Sequence, residues 1–153
     1  MSSIDARLKA LGIVLPTPAA PVAAYVPFVK SGDLLFVSGQ VPRGATGLEY
    51  VGKLGAGADV DFGRAAARLC AINLIAQVKA AIGDLEALVR VVKLTGFVNS
   101  APDFGDQPKV VDGASELMIE VFGDRGRHSR SAVGVAALPF GIAVEVEAIF
   151  EIA

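Results

Sequence analysis

Apolar positions recur along this chain with two periods. Between Asp61 and Ile82, Leu69, Ile72, Ile75, Ala76 and Ile82 fall on one side of a helix, with Arg64, Arg68 and Lys79 as the solvated complement and Gly83 as the stop. A second helix is predicted over 108–122, where Pro108 suits a first turn and Gly123 ends it. "SIDARLKAL" at 3–11 spaces Ile4, Leu8 and Leu11 as a short amphipathic helix appended before the domain, with Ser2 or Ser3 placed to cap it. Period-two and β-branched runs predict strands at 25–30 and 34–38, joined by the turn cluster "KSGD", and at 88–98. "SAVGVAAL", the turn "PFG" and "IAVEVEAIFEI" predict a C-terminal hairpin. Pro42–Ala58 is glycine-rich and reads as loop with a short strand at 49–51. The order ββ(β)αβαββ is an α+β pattern: one sheet with two helices on one face.

The last strand says what each face carries. Val144, Val146, Ala148, Phe150 and Ile152 form the helix-covered set, leaving Glu145, Glu147 and Glu151 on the other face, where water or cations must offset their repulsion. In "HSRSAVGV", Arg130 shares a face with Ala132 and Gly134, and the expectation is that Val133 and Val135 point into the core. An arginine beside a floor of small side chains outlines an anion pocket on the uncovered face. A hairpin turning near Phe140 would set Arg130 opposite residues around 150 and Glu145 opposite those around 135. A site shared within one chain is not assured by that register, and assembly between subunits would relieve it.

Composition narrows the function classes. The 153 residues suffice for one self-supporting core. A mean hydropathy of +0.55 points to apolar surface covered by another subunit. The net charge of −2 supplies no basic footprint for nucleic acid. One cysteine, Cys70, and one histidine, His128, cannot make an intramolecular disulfide or a zinc site, which fits a reducing cytoplasm. The uncharged stretch Gly12–Val29 is interrupted by Pro16, Pro18, Pro21 and Pro27, so it reads as an extended arm and not as a membrane span.

"SRSAVGVAALPFGIAVEVEAIFEI", "YVPFVKSGDLLFVSGQVP" and "ARLCAINLIAQV" together resemble the reactive intermediate deaminase (Rid) family, also called YjgF-like or endoribonuclease L-PSP. The resemblance covers residues 24–153 and leaves 1–23, a helix and proline-rich arm, as the N-terminal extension of a longer-chain subgroup. It implies a chorismate-mutase-like α+β fold, a homotrimer with clefts between subunits, and hydrolysis of enamine or imine intermediates of the 2-aminoacrylate type to 2-keto acids and ammonia, without metal or cofactor. By the same resemblance Arg130 falls on the arginine that binds the substrate carboxylate and Glu145 on the glutamate that positions water. Tyr25, Ser38 and Gly39 fall on cleft-lining positions, and Asp112 stands where many relatives have asparagine. Ala132 replaces a common cysteine; its backbone carbonyl is the expected contributor, so hydrolysis survives but thiol-based regulation does not.

The chemistry can be stated from the residues alone. A small 2-imino acid is already electrophilic, so a bidentate hold on its carboxylate and a base beside an attacking water suffice; Arg130 and Glu145 supply these. Competing readings are an interface ion pair for Arg130, packing alone for Tyr25, a non-catalytic trimer that binds a small carboxylate-bearing metabolite, and a ribonuclease, which the acidic balance opposes. His128 reads as an exposed loop histidine, Cys70 as a buried core thiol, and "GKLGAG" at 52–57 as a flexible loop flanking the cleft rather than a phosphate-binding motif.

Overall fold

The computed structural model describes residues 3–18 and 23–153. Helix α1 spans Ser3–Ala10. Strands β1 (Phe28–Ser31) and β2 (Leu34–Gln40) follow, then four two-residue strands, β3 (Arg43–Gly44), β4 (Gly47–Leu48), β5 (Lys53–Leu54) and β6 (Gly57–Ala58). The long helix α2 (Val60–Ile82) leads into β7 (Leu88–Asn99), α3 (Gln107–Phe122), β8 (Ser129–Val135) and β9 (Val144–Ile152). The main sheet has the order β1-β2-β9-β7-β8, antiparallel except for the parallel pair β7/β8. Both long helices lie where their periodicity put them: Asp59 caps α2 through the Phe62 amide, and Gly83 and Gly123 close α2 and α3 with positive φ.

Helices α2 and α3 cover one face of the sheet, against Val91, Leu94, Val98, Val144, Val146 and Phe150, all fully buried. Truncating Leu94 or Leu117 to alanine in so closed a core would cost about 2–5 kcal/mol. Among the described residues α2 is the one helix long and apolar enough to cross a membrane; here Ala67, Cys70, Ala71, Leu74 and Val78 are spent on the core. Gly96 fixes where α3 sits. A Cβ there would lie 2.5 Å from Val111, so the missing side chain lets the helix descend onto β7 and carries Asp112 and Ser115 toward β8.

The expected C-terminal hairpin does not form. Strands β8 and β9 run antiparallel, as in a hairpin, but β7 lies between them and pairs with both. Strand β7 is apolar enough for a centre strand, and the helical crossover through α3 returns the chain beside it in parallel. The connection through Ala136–Ala143 then passes over the end of β7. It is fastened there by bonds from the Asn99 amide to the Ala143 carbonyl and from the Ala143 amide to the Tyr50 carbonyl.

This topology also reverses the expected faces of β8. Arg130, Ala132 and Gly134 pair with Leu94, Gly96 and Val98, whose side chains or missing side chains face the helices. Val133 and Val135 pair with Phe97 and Asn99 on the open face, and Val133 is 44 % exposed. Alternation along β8 was legible, but its phase is set by α3, which covers an arginine at the sheet edge more readily than the open face covers a valine. The assignment on β9 holds: the even-numbered set is buried, and Glu145, Glu147 and Glu151 face the open side.

Helix α1 is not peripheral. Ile4 and Leu8 are part of the main core. Its N-terminus is not capped by Ser3. The Glu86 carboxylate accepts from the Ile4 amide at 3.0 Å and the Ser3 hydroxyl at 2.9 Å, with Arg125 donating to its other oxygen at 3.1 Å. Those donors, the Ile4 amide foremost, hold the Glu86 carboxyl at a pKa of about 2. Ser2, the other expected cap, and part of the proline arm lie outside the described residues. The 52–57 segment is also ordered: Leu54 is fully buried, and the Lys53 ammonium donates to Asn99 Oδ1 at 2.7 Å and the Ala136 carbonyl at 2.6 Å. Strand β1 starts at Phe28, after Pro27, which has no amide to donate. The short strand expected at 49–51 is reduced to one bridge, Val51 with Ile142.

Candidate functional site

Two separate clusters hold the expected site residues. The first forms where the N-terminal end of β8 meets the middle of α3. Arg130 Nη1 donates to Asp112 Oδ1 at 2.6 Å and to Ser115 Oγ at 3.2 Å. Asp112 and Ser115 stand three residues apart on the same side of α3, which is why a single guanidinium nitrogen reaches both. Nε and Nη2 of Arg130 have no protein partner among the described residues, so one edge of the guanidinium is held while the other remains free to grip a carboxylate with two parallel bonds. The side chain is 22 % exposed.

His128 belongs to this cluster and is not the exposed loop residue expected from its sequence neighbourhood. Its ring is half-buried, with Nδ1 2.6 Å from the Gly126 carbonyl and Nε2 2.8 Å from Ser115 Oγ. Burial lowers its pKa from the usual histidine value, the Gly126 carbonyl opposes this, and the Arg130 charge adds to the lowering. Ser115, Ile119, Arg127, His128 and Arg130 line a shallow cavity of about 250 Å³.

The second cluster lies on the open face, at the junction of β2 and β9. Between Val37, opposite Ala148, and Gln40, opposite Val146, the register slips, so Ser38 and Gly39 together face Glu147 in a β-bulge. The Glu145 carboxylate lies over Gly39: a Cβ there would stand 3.0 Å from its Cδ and Oε1. Burial, reinforced by the charge of Glu147, raises the Glu145 pKa above the usual glutamate value. The Ser38 hydroxyl donates to the Val26 carbonyl at 2.8 Å and its amide to the Pro27 carbonyl at 2.9 Å. These bonds strap the segment after Tyr25 to the bulge, while the Tyr25 ring is 55 % exposed.

Arg130 and Glu145 therefore do not share a face. Arg130 is level with Leu94 and Ala148, and Glu145 with Phe97 and Val133. Two strand spacings and three residues of rise put their Cα atoms roughly 14 Å apart, with the side chains on opposite sides of the sheet. Ala132 sits on the helix-facing side of β8, packed against the core opposite Gly96. Cys70 is fully buried, and burial pushes its thiol well above the ordinary cysteine pKa. Among the described residues no group of three His, Cys, Asp or Glu side chains is arranged to hold a metal.

Sequence reasoning passed over Ser115 and discounted His128. The signal for Ser115 was its i,i+3 spacing from Asp112, a polar notch in a helix whose neighbouring positions Val111, Ala114 and Met118 are apolar.

Comparison with known proteins agrees with this architecture. Residues 5–150 match the family model described as "YjgF/chorismate_mutase-like, putative endoribonuclease". The chain is 53% identical over 150 residues to Protein TCP17 of Trypanosoma cruzi, covering 97% of this chain and 94% of that one. A Shewanella oneidensis structure named for the same endoribonuclease description superposes with a TM-score of 0.95 at 38% identity, covering 99% of this chain and 100% of the other. The Escherichia coli TdcF structure with bound serine superposes with a TM-score of 0.65 at 28% identity over 90% of this chain and 94% of that one. Fold, topology and sequence agree that the chain belongs to the YjgF/Rid family.

Proposed function

We propose that the protein hydrolyses small imines or enamines derived from 2-amino acids, releasing 2-keto acids and ammonia. The observation that carries this reading is the way Arg130 is held: Asp112 and Ser115 fix Nη1, and the unpartnered edge is shaped for a carboxylate. Glu145 supplies the complementary function. Its pKa, raised above the usual glutamate value by burial and by the charge of Glu147, makes it a better base toward water than an ordinary glutamate. Water adds to the imine carbon as Glu145 takes its proton and returns it to nitrogen, giving a carbinolamine; Glu145 then carries the hydroxyl proton to the amine, so that the C–N bond breaks, the C=O bond forms and ammonia leaves.

Because the two groups lie on opposite faces of one sheet, one copy cannot bring both to the same imine. Two copies can, if the open face of one meets the β8 edge of the next. The open face suits that use: Val29, Phe36 and Val133 are 52 %, 40 % and 44 % exposed there. A cyclic trimer repeats this heterologous contact and closes it. The serine bound to TdcF supports a ligand of amino-acid size in a relative. The surface strip of Glu145, Glu147 and Glu151 opposes a polyanionic RNA substrate. The cytoplasm, where such imines arise, is the proposed compartment.

The test is to generate 2-aminoacrylate in solution and follow its disappearance. Acceleration by the wild type, lost in Arg130→Ala and in Glu145→Gln, supports the reading, as does recovery of activity when the two inactive variants are mixed and reassembled. No acceleration, with 2-keto acids still raising the melting temperature, would identify a binding protein without turnover.

A further inference from the structure

The proposed imine hydrolysis uses Arg130, with Ser115 only aiming it, and leaves the Ser115 hydroxyl proton and the His128 ring without a chemical role. Their geometry is specific. The Gly126 carbonyl can only accept, so His128 Nδ1 at 2.6 Å must carry the ring proton, and Nε2 of the neutral ring presents its lone pair. Ser115 Oγ, 2.8 Å away, is then the donor. A carbonyl orients the imidazole and the imidazole accepts from a hydroxyl, as a base accepts from an activated nucleophile. Arg130 Nη1 lies 3.2 Å from the same hydroxyl oxygen, close enough to hold negative charge developing beside it. The lowered pKa of His128 keeps the ring in the neutral, accepting state at physiological pH. All three groups open into the cavity of about 250 Å³, with Ile119 as its apolar wall and Arg127 at its rim.

We propose that Ser115 is a nucleophile activated by His128, and that this cavity cleaves small acyl esters whose acyl chain ends in a carboxylate. Ser115 Oγ attacks the ester carbonyl, forming the Oγ–C bond as its proton passes to His128 Nε2. Arg130 holds the oxyanion. Collapse breaks the bond to the leaving alkoxide, which departs as the alcohol with the proton from Nε2. Water, deprotonated by Nε2, then cleaves the acyl-serine to regenerate the hydroxyl and release the acid. The sum is ester plus water to acid plus alcohol. Ile119 contacts the methylenes of the acyl chain, and the exposed Arg127 guanidinium, paired loosely with Asp124 at 3.5 Å, meets the terminal carboxylate.

The full chain incubated with 4-nitrophenyl hydrogen succinate should give a burst of nitrophenolate and a protein mass increased by one succinyl group, mapped to Ser115 by peptide fragmentation. Ser115→Ala should abolish burst and adduct, and His128→Gln should slow the burst by about 10²–10³-fold. 4-Nitrophenyl acetate should react at least several-fold more slowly, a difference removed by Arg127→Ala. Glu145→Gln, which removes no group of the Ser115–His128 pair, should lose imine hydrolysis and keep the burst, so each activity can fail without the other. No adduct, an adduct on another residue, or a burst unchanged in Ser115→Ala would overturn the proposal; equal rates for the two esters would overturn the carboxylate preference.

Discussion

Arg130 and Glu145 carry opposite charges and opposite local economies. Arg130 is surrounded by groups that suit it: a carboxylate at 2.6 Å and a hydroxyl at 3.2 Å. Among the described residues no cation pairs with Glu145; burial and the neighbouring Glu147 both work against its charge. In the proposed reaction the arginine is a fixed receptor that folding already satisfies, whereas the glutamate is held in a state it would leave by taking a proton. A receptor needs its geometry settled before the ligand arrives, and a base needs a reason to accept.

The most damaging way to break the contrast is Glu145→Gln, which should lower kcat for imine hydrolysis by about 10³-fold in a single-turnover assay. The same substitution should raise the melting temperature. The folded-state pKa of Glu145 is raised, so its ionised form carries a penalty above that pKa, relieved as pH falls through it; a neutral amide relieves it at every pH. In the wild type, kcat should therefore climb with pH through a midpoint above the ordinary glutamate value of 4.5. A lower melting temperature for the glutamine variant would contradict the strained-base account.

Arg130→Ala should reduce kcat/KM by about 10²-fold, mostly through KM, and should destabilise the fold because Asp112 loses its partner. Gly39→Ala should cost about tenfold in kcat: the new methyl, 3.0 Å from the Glu145 carboxylate, forces that flexible side chain aside while far-ultraviolet circular dichroism stays unchanged. The gentlest probe is Asp112→Asn. Removing the charge that competes for a partly exposed guanidinium, an interaction of about 0.2–1 kcal/mol, should lower KM for a carboxylated imine about two- to fivefold. A higher KM would mean that Asp112 serves to aim Arg130 more than it restrains it.

Helices α2 and α3 and strands β2, β7 and β9 were legible because their periodicities extend over many residues and end at Gly83, Gly123 or the "KSGD" turn. What stayed hidden depends on which strand lies beside which. Alternation in "RSAVGV" places Arg130, Ala132 and Gly134 together but does not say which side α3 will cover; that is set by Gly96, distant in sequence. The same holds for the site. Arg130 and Glu145 could be picked out as residue types, but an intervening β7 is invisible from "AALPFGIA". His128 was misjudged because a polar loop sequence carries no record of the Gly126 carbonyl and Ser115 hydroxyl that fold against it.

The sheet order has a consequence for how the molecule is made. Strand β9, residues 144–152, is the middle strand and, among the described residues, the one that joins β1-β2 to β7-β8. On the ribosome every other strand emerges before it, so the two halves of the sheet stay unlinked until these residues are free. Until then the flanks of β2 and β7 are open edges, ready to accept a strand from another nascent chain. A stalled or truncated product lacking β9 is thus expected to need chaperone protection more than any full-length point variant, which pulse-chase capture of ribosome-bound chains could measure.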